Sequence, residues 1–145
     1  MLKVEDMTHD EMHALLRKVG FGHLGCARNG RPYVVPMHYA YDDQDLYIFT
    51  TEGTKTKFIE ENHEVCLQVE EVQDSTHWQS VMVTGKAERL VKAEDTEHAM
   101  GFITEKNPTL TPALSETQID AWGRAVNIAI YRIHPDVIDG RKSVE

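Results

Sequence analysis

The chain has 145 residues, and its 24 acidic side chains outnumber its 15 lysines and arginines, which gives a formal net charge of −9. This length predicts a single domain spanning residues 1–145. The acidic balance argues against a surface that binds nucleic acid or membrane lipid through bulk electrostatics, so a bound anion would need a local pocket. No apolar run reaches the roughly 20 residues that cross a bilayer, and the N-terminus lacks a signal-peptide pattern. We therefore expect a cytoplasmic protein without a membrane partner.

The first predicted element is a short amphipathic helix. Thr8 and Glu11 have the spacing of a capping box, in which each side chain bonds the backbone N–H of the other residue. Apolar residues then recur three and four positions apart over 12–19, and Gly20 follows them. This pattern predicts one apolar helical face that ends at Gly20.

Three strands are predicted next, in a meander. The stretches 21–27 and 32–41 are rich in β-forming residues, and between them Asn29 and Gly30 can supply the positive φ angles of a tight hairpin turn. A turn rich in aspartate then leads to an alternating strand over 46–50.

The rest of the chain alternates between short helices and further strands. Thr54 is a candidate N-cap for a helix over 54–62, a second helix is predicted from about 92 to 103, and Ser115 and Gln118 can cap a third. Short strands with few helices predict a mainly β fold that closes or nearly closes into a barrel, because sheet edges have to be protected. The fourth, fifth and sixth strands are predicted over 65–70, 80–90 and 126–133.

The segment 49–58 carries the strongest chemical signal in the chain. Lys55 and Lys57 stand at the start of a predicted helix, where the partial positive charge of the helix end repels cations. A bound phosphate would resolve this conflict, with Gly53 allowing a close approach and the threonine hydroxyls donating hydrogen bonds. Two solvated lysines on a polar helix face are the simpler interpretation of these residues alone.

Two further features are compatible with a ligand site. Pro36 interrupts a predicted strand, and because proline has no N–H to donate it belongs at a sheet edge or a bulge. A flat ligand lying along such an edge could use the free backbone groups, although an ordinary edge strand is the simpler explanation. Trp78 starts a later strand, and by composition it is more typical of a core or an interface than of a cofactor wall.

In order and spacing, residues 30–36, residues 53–55, Asn62 and residues 78–90 resemble the pyridoxamine 5′-phosphate oxidase-like, FMN-binding split-barrel superfamily, and in particular its small nitroimidazole-reductase-like branch. The resemblance covers about residues 22–90. It implies a six-stranded split β-barrel, mainly β, with short helices capping the barrel. It also implies a homodimer with FMN bound between the subunits.

The resemblance also assigns residues to the cofactor. The edge strand would lie against the isoalloxazine ring, largely through its backbone, and the loop before the helix would surround the phosphate. Lys55 matches the family lysine seven positions before the asparagine, and Ser80 stands where the oxidases commonly have glutamine. The residues implied at the FMN site are Val35, Pro36, Met37, His38, Thr50, Thr51, Thr54, Lys55, Lys57, Trp78 and Ser80.

The activity implied is that of an oxidoreductase, in which FMN carries hydride or electrons between a nicotinamide or other donor and a small-molecule acceptor. His38 is a candidate for proton transfer, although a strand histidine satisfied by a polar neighbour is the simpler interpretation. Thr54 stands where the oxidases have an arginine, and residues 132–142 lack their C-terminal tryptophan and arginine pattern. We therefore do not expect a true pyridoxamine 5′-phosphate oxidase.

Two alternative functions remain open on the sequence. A flavin-binding or stress-associated protein without catalytic activity would have the same site. A haem-binding split barrel is the other alternative, because related split barrels handle haem. Its candidate axial ligands are His9, His13, His23 and His134.

A metal site is not predicted. His9 and His13 have the spacing to share a helix face, but a zinc-protease motif needs glutamate directly after the first histidine, and Asp10 stands there. Cys26 and Cys66 are forty positions apart in apolar segments, which is typical of buried, reduced thiols rather than of a disulfide framework or a zinc knuckle.

Overall fold

The computed structural model describes residues 2–106 and 128–144. Three helices are present in this part of the chain: α1 (His9–Val19), α2 (Thr54–Glu61) and α3 (Ala93–Lys106). The predicted helix that begins near Ser115 lies outside the described residues. The strands are β1 (Lys3–Asp6), β2 (Phe21–Arg28), β3 (Arg31–His38), β4 (Ala40–Tyr41), β5 (Leu46–Thr51), β6 (Glu64–Asp74), β7 (His77–Arg89) and β8 (Ile128–Val144).

All eight strands belong to one antiparallel sheet. Their order is β3-β2-β6-β7-β8-β5-β4, and β1 pairs with the far end of β8. The sheet curls around a core but its end strands do not pair, which is the arrangement of a split barrel. The predicted fold class, mainly β with peripheral helices, is confirmed.

The predicted count of six strands is wrong by two. The stretch 32–41 forms two strands, because the chain breaks at Tyr39, whose amide donates to the Gly20 carbonyl at 3.1 Å. Strand β1 consists of four exposed residues with no apolar alternation, so no pattern marked it. Strand β8 continues past the predicted end at residue 133, because Pro135 falls where the pairing of β7 and β8 shifts register and its missing N–H costs little.

The local predictions for α1 and the first hairpin are confirmed. The Thr8 amide donates to Glu11 Oε1 at 2.9 Å, and the Glu11 amide donates to Thr8 Oγ1 at 3.2 Å, which completes the capping box. Gly20 ends the helix with a φ of 72°. Asn29 and Gly30 have φ angles of 52° and 77°, as a tight hairpin turn between β2 and β3 requires.

The core fills the inside of the curled sheet and is closed by α1 and α2. Leu24, Leu67 and Val83 are fully buried on three neighbouring strands, and Ile59 of α2 packs against the same cluster. A second apolar cluster lies under α3, around Tyr47 and residues of β4 and β8. None of the helices within the described ranges is long and apolar enough to span a membrane.

Candidate functional site

The start of α2 is organised by Thr56 rather than by Thr54. The Gly53 amide donates to Thr56 Oγ1 at 2.9 Å, and that hydroxyl donates to the Gly53 carbonyl at 2.8 Å. The predicted cap at Thr54 is therefore wrong: Thr54 is the first helical residue and its side chain is exposed. Because Thr56 is buried and closes the loop, the Thr54 hydroxyl is left on the surface beside the helix end.

The two threonines that end β5 differ in exposure. Thr50 is buried, and its Oγ1 donates to the Thr51 carbonyl at 3.2 Å. Thr51 is exposed and lies three residues before the first residue of α2. Of the two predicted phosphate ligands on this strand, Thr51 is therefore exposed to solvent, whereas the Thr50 hydroxyl is hydrogen-bonded to the backbone of the next residue.

The two lysines at the start of α2 are not neutralised. Lys55 is half-buried and Lys57 is exposed, and within the described residues neither ammonium group takes part in a hydrogen bond or an ion pair. Lys18 and Lys142, by contrast, each lie 2.6 Å from a glutamate oxygen. The first turn of α2 also contains no acidic residue, so the helix dipole and both lysines add to the same positive potential.

The acidic residues that flank this turn are held by an arginine. Arg89 of β7 places its two terminal nitrogens 2.5 Å from Glu52 and 2.9 Å from Glu60. The hydrogen bond that Arg89 donates to Glu52 is the main cause that raises the pKa of Arg89. Arg89 therefore offsets one of these two negative charges, and no described carboxylate forms an ion pair with Lys55 or Lys57.

Strand β3 is an edge of the sheet, and it carries the four predicted ring-contacting residues. Among the described residues it pairs only with β2, so Pro36 lies on an edge strand, as its missing N–H predicts. The side chains alternate: Pro36 and His38 are exposed on the outer face, whereas Val35 packs toward the core and Met37 is buried. Val35 and Met37 can therefore reach a ligand on this edge mainly through their backbone.

Helix α2 lies at one end of this edge strand. The Tyr33 and Phe58 rings are 5.4 Å apart, and Asn62 Nδ2 donates to the Ala27 carbonyl at 3.1 Å. His38 is five residues beyond Tyr33, or about 16 Å along an extended strand. Helix α2 and the edge strand are therefore neighbours at this end of β3.

His38 has an aromatic neighbour. Its ring packs edge-on against Phe21, with the centroids 4.9 Å apart and an interplanar angle of 63°. In the described part of the chain no hydrogen bond joins His38 to the polar neighbour that the simpler interpretation expects. The imidazole is exposed at the end of the edge strand, where a ligand or solvent can reach it.

Trp78 and Ser80 lie far from the edge strand β3 in the sheet. They lie on β7, three strands away in the sheet, which corresponds to about 14 Å. Ser80 Oγ accepts a hydrogen bond from Gln68 Nε2 at 2.9 Å. Trp78 lines a cavity of about 240 Å³, whose other lining residues are Glu71, Gln73, Thr76, His77, Gln79, Lys142 and Ser143.

The outer face of the sheet carries exposed apolar side chains that the sequence analysis did not single out. The pairing register places Val34, Cys66 and Val137 in one row across five strands, and Met82 in the next row. Val34 is 63% exposed and Val137 is 58% exposed. One part of the sequence did indicate this face. In β7 the outward-facing Met82 is as apolar as the inward-facing Val81 and Val83.

The remaining predicted ligands are dispersed. The cysteines were predicted as buried, reduced thiols and not as ligands. Both are free; Cys26 is buried, which raises its pKa, whereas Cys66 faces outward from the neighbouring strand and is only half-buried. His134 bridges Asp45 and Glu88 through its two ring nitrogens, at 2.9 and 3.0 Å. The candidate haem ligands thus lie on three separate elements, with His9 and His13 together on α1.

Comparison with known proteins gives a consistent result. Residues 8–142 match the sequence model of the family described as pyridoxamine 5′-phosphate oxidase. An uncharacterized protein of Rhizobium meliloti is 32% identical over 95 residues, which are 66% of this chain and 63% of that protein. The match therefore spans less than two thirds of that relative's length.

Two solved structures have the same fold. An FAD-binding protein from Mesorhizobium loti is 30% identical, with complete coverage of both chains and a TM-score of 0.77. A putative 5-nitroimidazole antibiotic resistance protein from Bacteroides thetaiotaomicron is 20% identical, with 100% of this chain and 93% of that chain covered and a TM-score of 0.74. At that identity the second similarity concerns the fold alone.

Proposed function

This chain belongs to the pyridoxamine 5′-phosphate oxidase family, and on that premise we propose that it binds FMN with the phosphate at the start of α2 and the ring along β3. The observation that carries the proposal is the positive charge of Lys55 and Lys57, which no described carboxylate neutralises. The FAD-binding relative, which is 30% identical over its whole length, supports a flavin as the ligand.

The phosphate end of the site follows from local electrostatics. A helix N-terminus presents free N–H groups and about half a positive charge, and a dianionic phosphate satisfies both. Lys55 and Lys57 add two cations, and the exposed hydroxyls of Thr51 and Thr54 add hydrogen-bond donors. The residues present at this helix end therefore fit a phosphate monoester such as the tail of FMN.

The ring end follows from the edge strand. The unpaired side of β3 offers backbone N–H and carbonyl groups that can bond the polar edge of an isoalloxazine ring, with Pro36 leaving one position without a donor. Val35 and Met37 anchor this strand in the core, so its backbone is held in place. The proposed role of the edge strand is to position and orient the ring.

A complete site requires a second copy of the chain. Trp78 and Ser80 lie about 14 Å from β3 within one chain, so they can contact the same ring only from a partner subunit. The exposed apolar face around Val34, Met82 and Val137 supplies a surface that a homodimer would bury. We propose a cytoplasmic homodimer with two such sites.

The reaction proposed is an oxidoreduction of a small-molecule substrate. A bound flavin supplies hydride or single-electron transfer. The chain itself would orient the ring through β3, exclude water with the apolar outer face, and hold an exposed imidazole, a candidate for proton transfer, at His38 near the end of the strand. The donor can be a nicotinamide or another reductant.

One observation favours the alternative of a flavin-binding protein without catalytic activity. Among the described residues His38 is packed on Phe21 rather than on a polar group that would relay a proton. The rate at which an acceptor reoxidises the reduced protein distinguishes an enzyme from a flavin-binding protein without catalytic activity.

The proposed function is tested on freshly purified protein. We expect the visible absorption bands of a flavin, release of FMN on denaturation, and a dimer in sedimentation. A Soret band would instead support haem, and protein that neither carries nor takes up FMN would contradict the proposal. A monomer that still holds FMN would contradict the shared site.

A further inference from the structure

Two histidines of α1 converge on one point outside the barrel. His9 and His13 are one helical turn apart, and a hydrogen bond joins their Nε2 atoms at 2.8 Å, in the place that a metal ion would take. The ring centroids are 4.0 Å apart, so the two rings lean together at their Nε2 tips. We propose that this pair, the His9–His13 site, binds a divalent copper ion independently of the flavin.

The spacing of the two nitrogens selects the kind of metal. Imidazole nitrogens lie about 2.0–2.1 Å from a divalent ion such as zinc, and at that distance two nitrogens 2.8 Å apart subtend an angle of about 90° at the metal. Neighbouring ligands in a tetragonal site make this angle, whereas a tetrahedral site needs a wider one. Tetragonal coordination by nitrogen and oxygen is typical of Cu²⁺ and Ni²⁺, and Cu²⁺ has the higher affinity of the two.

The surroundings orient the rings and favour a cation. The second ring nitrogen of His13, Nδ1, forms a hydrogen bond with the Tyr41 hydroxyl, and a partner of this kind fixes the orientation of a metal-binding imidazole. His9 Nδ1 lies 3.9 Å from a carboxylate oxygen of Asp10. The side chain of His9 is 80% exposed, so an ion can enter without a change in the fold.

Solvent completes the coordination. In the ranges 2–106 and 128–144, no three side chains of histidine, cysteine, aspartate or glutamate converge to hold a metal. Water molecules therefore take the other tetragonal positions, and the site is one for exchangeable copper rather than a structural centre. It differs from a zinc-protease site, because the motif glutamate is absent and Glu11 is bound in the cap of α1.

The test is a titration of the full-length, untagged protein with Cu²⁺, followed by calorimetry and electron paramagnetic resonance. We expect one ion per chain, with hyperfine coupling to two equivalent nitrogens. His9→Ala should lower the Cu²⁺ affinity at least about tenfold, since even an outer-shell partner of a metal ligand is worth about 10- to 100-fold. His63→Ala removes an exposed histidine outside the pair and should leave the affinity unchanged.

His13→Ala also removes the contact with Tyr41, so circular dichroism must first show that α1 is intact. If α1 is disturbed, His9→Ala provides the test, because within the described residues the His9 side chain forms its hydrogen bond, ring contact and ion pair only with His13 and Asp10 of the same helix. The proposal is overturned if the natural protein binds no Cu²⁺, if His9→Ala binds it as tightly, or if the spectrum shows a single nitrogen. Each of these results leaves the proposed FMN site untouched.

Discussion

Removal of the Lys55 ammonium should weaken FMN binding through the phosphate alone. The group is half-buried at a helix N-terminus, and no described carboxylate competes for it. A charge-assisted hydrogen bond of this kind contributes about 1.5–3 kcal/mol, which corresponds to roughly a 10- to 150-fold change in Kd. We therefore expect Lys55→Ala to raise the Kd for FMN by that factor.

Riboflavin provides the internal control, because it has the same ring and lacks the phosphate. The Kd values of FMN and riboflavin are measured by quenching of flavin fluorescence, for the natural chain and for Lys55→Ala. The substitution should leave riboflavin binding nearly unchanged and remove most of the preference for FMN. Lys3→Ala, which removes an exposed lysine from β1, should change neither the Kd for FMN nor the Kd for riboflavin.

Two results would refute this reasoning. If Lys55→Ala binds FMN as tightly as the natural chain does, the ammonium is not at the phosphate. If FMN and riboflavin lose affinity equally, the substitution weakens binding of the isoalloxazine ring or destabilises the fold. A thermal melt of each variant separates those two cases, since α2 packs on the core through Phe58 and Ile59.

Three further predictions address the interface, the helix cap and the pH response. Val34→Glu introduces a charge into the exposed apolar face, so it should yield a monomer with weakened FMN binding, measured by sedimentation and fluorescence; an FMN-loaded dimer would contradict the shared site. Thr56→Val removes the hydroxyl that bonds both backbone groups of Gly53, and it should lower the free energy of unfolding by about 1 kcal/mol in urea titrations, whereas Thr54→Val should have little effect. The hydrogen bond between His134 Nε2 and the Glu88 carboxylate raises the pKa of His134 and lowers the pKa of Glu88. The stabilisation from this pair is therefore complete between the usual pKa values of glutamate and histidine, and it is lost above as the imidazole deprotonates and below as the carboxyl protonates. Both groups are half-exposed, so His134→Gln should lower stability by at most about 1 kcal/mol at about pH 5.5, and by less at about pH 8.5, in thermal melts; an equal loss at both pH values would contradict the assignment.

The elements that could be predicted are those whose signals are local. The cap of α1 depends on Thr8 and Glu11, which are three residues apart, and the hairpin depends on the adjacent residues Asn29 and Gly30. All residues that determine each of these structures therefore lie within a few positions of one another in the sequence. Lys55 could be singled out as a candidate phosphate ligand for the same reason, because a cation and a helix N-terminus repel each other within one turn.

The features that were missed depend on contacts between distant parts of the chain. Strand β1 has no apolar face of its own and exists because Lys3–Asp6 pairs with the end of β8, some 138 positions later. The continuation of β8 past Pro135 depends on a register shift opposite Gly85. Likewise, the separation of Trp78 from β3 follows from the insertion of β2 and β6 between them in the sheet, which no local pattern states.

The candidate site also explains how a chain of net charge −9 can attract an anion. Charges on the surface act mainly over about 10 Å in salt, so the local arrangement outweighs the sum over the chain. Near α2 the acidic side chains of Glu52 and Glu60 are both engaged by Arg89, which belongs to a different strand. Arg89 offsets one of these two negative charges, and Lys55, Lys57 and the helix dipole add the positive charge at the start of α2. The positive site is thus a product of the tertiary structure, because it depends on β7 bringing Arg89 to the loop that precedes α2.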